Sequence, residues 1–164
     1  MATWLNSDGL YIKYGTDEAT AGLAGEFRHS GNEYWAELEI LATSLTASPA
    51  IQNDNVIIPA GARIQRVVVI AETACTDVGG TSVLNVGLIR TDRSTTYEVD
   101  GIVKALPLAS LNVAGEQTTL TGGATYAGDY VGVTIAYPGL LTADYDTEAF
   151  TAGRIIVRVH YYFP

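Results

Sequence analysis

Two histidines, His29 and His160, one cysteine, Cys75, and one run of alternate carboxylates, Asp144, Asp146 and Glu148, are the side chains of this sequence best suited to chemistry. A cupin-like metal site needs several histidines and a carboxylate on facing strands, and two histidines at opposite ends of the chain do not supply it. His160 alternates with Arg158 and Tyr162, the pattern of one polar sheet face. His29 sits with Arg28, Ser30 and Gly31 in a turn-forming stretch. A single cysteine makes neither a disulfide nor a thiolate cage, and Cys75 reads as a small core residue. Alternate carboxylates in a loop can converge on Ca²⁺, but the segment ADYDTEAF lacks the glycine of an EF-hand loop and reads as a solvated acidic turn. Nothing near it would raise one carboxyl for paired-carboxylate glycoside hydrolysis. Ser44, Ser48 and Ser110 lie in no Gly-x-Ser-x-Gly elbow. Gly79-Gly80 and Gly122-Gly123 precede no helix and read as hairpin glycines, not a phosphate cradle. The expectation is a protein without catalytic residues, metal or cofactor, and not an enzyme.

The elements that carry these residues read as strands. Ala36, Leu38, Ile40 and Ala42 share one parity opposite Glu37 and Glu39. Residues 67 to 71 are apolar on both parities, which marks a central strand or a bulge. Leu84, Val86 and Leu88 alternate with Asn85 and Gly87. Val131, Val133, Ile135 and Tyr137 form another alternating face, and Ile155, Val157, Val159, Tyr161 and Phe163 the cleanest. Val99 to Leu111 is the one helical candidate, limited by Pro107 to a turn or two, or else an apolar plug at one end. About seven to nine short strands separated by turn signals predict an all-β, single-domain β-sandwich of jelly-roll type. Residues 1–34 differ: Gly15 to Gly25 is small and polar, so this part reads as an extended N-terminal arm or an edge hairpin, with the sandwich domain over 35–164.

Composition bounds the partners. The chain has 164 residues, 48% hydrophobic and only 16% charged, which is enough for one folded core. Its net charge of −9 is of the wrong sign for nucleic acid or an anionic membrane surface, and its nine Lys and Arg are scattered. The opening MATWLNSDG has no signal-peptide pattern, and no apolar run approaches the roughly 18 residues of a membrane span. Synthesis in a reducing cytoplasm is expected. Trp4, Tyr11, Tyr14, Tyr34 and Trp35 crowd the first part of the chain, as on a contact surface or a carbohydrate platform, or in a satellite core.

Over its whole length the chain resembles the small β-sandwich proteins that decorate tailed-phage heads, the capsid decoration, cement or head-stabilisation proteins. The resemblance is carried by Thr3-Trp4-Leu5-Asn6-Ser7-Asp8-Gly9-Leu10, by Ile58-Pro59-Ala60-Gly61-Ala62-Arg63-Ile64 leading into a long strand, by Leu84-Asn85-Val86-Gly87-Leu88, and by the last strand. It implies a virion structural protein made in the host cytoplasm, often a homotrimer, that binds the major capsid protein on the capsid surface, with no active site to transfer. This chain is longer than the smallest such proteins and has an aromatic N-terminal segment, which leaves head fibre, neck or tail open. A carbohydrate-binding jelly-roll module of a head fibre or tail is the alternative. The expected interface is either the N-terminal segment, through Trp4, Leu5, Leu10 and Tyr11, or the polar face of the last strand, through Arg158, His160 and Tyr162.

Overall fold

The strands pair as a nested set, first with last and inward. The computed structural model describes residues 2–5, 11–14, 33–93 and 96–164. Strand β3 (Tyr34–Leu41) pairs with β11 (Ala152–Tyr162); β4 (Ala50–Ile51) and β5 (Ile57–Ile58) pair with β10 (Gly139–Asp146); β6 (Arg63–Thr76) pairs with β9 (Gln117–Thr121); and β7 (Val83–Arg90) pairs with β8 (Thr96–Pro107). Two further pairings, β11 with β6 and β10 with β7, roll this set into two antiparallel sheets, β3-β11-β6-β9 and β4-β10-β7-β8. That winding is a jelly roll, as the alternating strands predicted. Separately, β1 (Ala2–Leu5) and β2 (Tyr11–Tyr14) pair antiparallel, with Thr3 across from Lys13 and Trp4 across from Ile12.

Period-two alternation makes the core. Leu38, Ile40, Val67, Ile155, Val157 and Val159 from the first sheet meet Leu84, Val86, Leu88, Ile102, Leu106 and Leu141 from the second, all fully buried. Each such aliphatic side chain contributes roughly 1.5–3 kcal/mol on removal from water. Cys75 lies in the same core, and burial pushes its thiol up to about 11, which makes it inert.

Several expected elements differ. Val99 to Leu111 is not helical: it continues β8 to Pro107, and a single 3₁₀ turn, Leu108–Ser110, follows. Cross-strand partners outweigh the short helical pattern, because β8 lies against β7 and against residues 126–130. Val131 to Tyr137 is not a regular strand. Gly132 takes φ +92, and the segment bonds to residues 61–64 through four irregular backbone contacts, so Val133 and Tyr137 are exposed. Gly79-Gly80 is not a hairpin but part of the crossover from β6 to β7 between the two sheets, and Gly122-Gly123 opens the long connection from β9 to β10. Phe163 is 47% exposed, lying edge-on to Tyr34 and Tyr161, not in the core. His29, Leu10 and the Gly15–Gly25 stretch lie outside the described residues.

Gly87 shows how tightly β8 crosses β7. Between the pairs Val86–Val103 and Leu88–Glu98 the register of β8 shifts, and the extra residues pass over Gly87. A Cβ there would stand 2.1 Å from the Glu98 carbonyl oxygen. Gly87→Ala is therefore expected to lower unfolding free energy by about 1–3 kcal/mol in urea titration at unchanged m-value; a change inside experimental error would mean that β8 does not press on β7 at this point.

Candidate interface surface

The outward parity of β11 lies in the middle of a charged lattice. Antiparallel register sets Arg158 across from Glu37 on one side and Val68 on the other, and His160 across from Trp35 and Arg66. Arg158 Nε donates to Glu37 Oε2 at 2.5 Å, and its guanidinium lies 5.0 Å from the Trp35 ring centroid. Arg154 pairs with Glu39 and, through Nε at 3.1 Å, with Glu72. Arg66 meets Glu33 at 3.1 Å. His160 packs its ring 5.8 Å from Trp35. Four carboxylates thus face three guanidiniums across three strands. Partly exposed pairs like these contribute only about 0–1 kcal/mol each, but together they fix which charges the face presents.

His160 is the titrating member. Its Nδ1 stands 3.2 Å from Glu33 Oε1 and 3.4 Å from Arg66 Nη2. Partial burial, then the neighbouring Arg66 charge, hold its pKa below the usual histidine value, while Glu33 pulls the other way. Neutral His160 accepts from Arg66 at Nδ1; protonated His160 would donate to Glu33 from that same nitrogen and face the Arg66 guanidinium beside it.

One end of the sandwich presents a braced loop that the sequence did not mark. Asp77 accepts the Gly80 amide at 2.5 Å and the Ser82 amide at 2.7 Å, and the bonding from Ser82 first of all holds its carboxyl below the usual range. From the facing β10–β11 turn, Glu148 Oε2 accepts the Gly79 amide at 2.8 Å. Thr147 in that turn has φ +72, with the Glu148 amide bonded to the Asp146 carbonyl at 2.9 Å, a strained γ-turn. Val78, at the tip, is 85% exposed. The only advance signal was Asp77 placed before two glycines and a serine.

The acidic run reads differently in three dimensions. Asp144 is not in a solvated turn: it is a buried residue of β10, and that burial pushes its carboxyl up, aided by Asp146 and Asp100 and opposed by a hydrogen bond from Asn85. Glu148 is engaged in the loop brace. Among the described residues no group of three His, Cys, Asp or Glu side chains is placed to hold a metal, and no helix is long and apolar enough to cross a membrane. Of the expected interface residues, Arg158, His160 and Tyr162 share the outer face of β11; Trp4, Leu5 and Tyr11 belong to the β1–β2 pair; Leu10 is outside the described residues.

Two solved structures share this fold over most of their length. A chain of the cyanophage Pam1 capsid asymmetric unit superposes with a TM-score of 0.52 at 22% identity, covering 91% of this chain and 98% of that one. A chain of the capsid of Ralstonia phage GP4 gives 0.56 at 12% identity, covering 83% and 87%. The likeness is one of fold. No family model and no curated protein matches the sequence.

Because the folded-state pKa of His160 is depressed, the unfolded chain binds the extra proton first, and stability falls as pH drops below about 6.5. His160→Gln removes that contribution. Thermal midpoints followed between pH 7.5 and 5 should fall more steeply in the natural chain than in the variant; parallel curves would show that His160 is not held in this way.

Proposed function

We propose that this chain is a virion structural protein that decorates a phage head, binding the major capsid protein lattice from outside and stabilising it, and acting through packing and not catalysis. The observation that carries the reading is the near full-length likeness of fold to chains of two phage capsids. Surface chemistry supports it. The central polar face is largely self-neutralised, the overall charge is acidic, and both suit contact with protein better than with nucleic acid or membrane. The carbohydrate-binding reading loses one support, since Trp35 packs against both Arg158 and His160.

The mechanism is additive. A ligand that binds only the assembled lattice stabilises it by mass action. Copies joined as a homotrimer bind several lattice sites at once, so a weak contact per copy becomes tight attachment. Val78 and the N-terminal residues Trp4, Leu5, Leu10 and Tyr11 are the apolar groups assigned to contacts with the lattice or between copies.

The test adds full-length protein, and protein lacking residues 1–14, to undecorated heads, then measures bound copies and the temperature of genome release. Full-length protein should saturate the heads and raise that temperature, and the truncated form should stay folded and bind more weakly. If full-length protein neither binds nor protects, the decoration reading fails. Equal binding by the truncated form would move the contact onto the sandwich itself.

A further inference from the structure

We propose that the open edge of β3 docks the β1–β2 hairpin of a second copy of this chain, with β2 antiparallel to β3 and Lys13 across from Glu39. The inference deepens the reading of the chain as a symmetric assembly protein and rests on it.

Sheet edges in this fold are managed unequally. The edge of β8 is covered by residues 126–130, through bonds such as Lys104 N–H to Tyr126 O at 2.9 Å and Tyr130 N–H to Gly101 O at 2.9 Å. Strands β4 and β5 are two residues each, broken by the turn at residues 53–55. Among the described residues, β3 from Trp35 to Leu41 is the longest edge with no strand beside it, β9 being shorter. An open edge of that length is a template for another strand.

Charge selects the occupant. Pairing β3 with its own copy puts Glu37 or Glu39 against a carboxylate in each centred antiparallel register, which is unfavourable. Arg154 is shared between Glu39 and Glu72, so among the described residues the face carries one carboxylate more than its guanidiniums match. A strand bringing a single cation in the same parity as Glu39 fits. Strand β2 is Tyr11-Ile12-Lys13-Tyr14. With Lys13 across from Glu39, Tyr11 falls across from Leu41, which is 55% exposed, Ile12 across from Ile40, and Tyr14 across from Leu38. The polar and apolar parities of the two strands then agree along the whole contact. Among the described residues β2 pairs with β1 alone, and the docking uses its other edge. Hairpin to edge is a heterologous contact, and successive copies close into a ring such as a trimer.

Free protein carrying Lys13→Cys together with Glu39→Cys, oxidised at high concentration, should form disulfide-linked oligomers on a non-reducing gel. Each single variant should stop at a dimer at most, because buried Cys75 offers no second reactive thiol. A disulfide within one chain, or none, overturns the proposal. Sedimentation equilibrium supplies a second readout. Lys13→Glu should raise the concentration for half-assembly at least tenfold, and Lys13→Glu with Glu39→Lys should restore it. If the natural chain stays monomeric at every concentration, or if Lys13→Glu associates as well as the natural chain, the docking is wrong even where Glu39→Lys fails to fold. Binding to heads is measured separately, so cross-linking without head binding would sink the decoration reading alone, and head binding without cross-linking would sink this one alone.

Discussion

Strand β11 is hydrogen-bonded on both sides, to β3 and to β6, and the rest of the molecule depends on those two ladders. One parity of β11 supplies Ile155, Val157, Val159 and Tyr161 to the core; the other supplies Arg154, Arg158 and His160 to the outer face. A shift of register by one residue would exchange the two, burying two guanidiniums and a histidine and exposing four large apolar groups. The apolar parity therefore fixes the register, and the register in turn fixes which glutamate each arginine meets. The ion pairs are a consequence of core packing more than a cause of it, as their small individual worth implies. Because most of the pairs join strands distant in sequence, the fold should form slowly compared with a helical domain of its size.

What could be read in the sequence was whatever lies on a strand with one face wet and one dry. Ala36 to Ala42, Leu84 to Leu88 and Ile155 to Tyr161 announce themselves by alternation, and they are the strands that build both sheets. The unread parts break that rule for physical reasons. Strand β8 bulges over Gly87 and is covered on its edge, so its apolar residues fall at irregular intervals. Residues 131–137 alternate in sequence, but Gly132 turns the chain and leaves Val133 exposed. Asp144 looked like a loop carboxylate because a buried acid on a strand has no local signature; only its burial in β10 distinguishes it. The polar face of β11 was legible as a face, while its partners Glu33, Glu37, Glu39 and Arg66 were not, since cross-strand register is not written in any one strand.

The same geometry bears on how such a chain would hold to a lattice. Its charged face is already paired, so attachment through that face would have to displace or match existing partners. Apart from Leu41 at its edge, its large exposed apolar groups sit elsewhere, and Val78 stands on a loop held by two carboxylates and a strained turn. A loop fixed before binding loses little conformational freedom on contact, which favours affinity from a small area. Many such contacts, repeated by symmetry, suit reinforcement of a shell better than recognition of a single ligand.

The most direct measurement is an icosahedrally averaged electron cryomicroscopy reconstruction of heads incubated with the purified chain, compared with heads alone. The account predicts added density on the outer surface at symmetric positions between capsomers, into which the two sheets β3-β11-β6-β9 and β4-β10-β7-β8 fit. Heads with no added density, or density confined to the tail vertex, would contradict it.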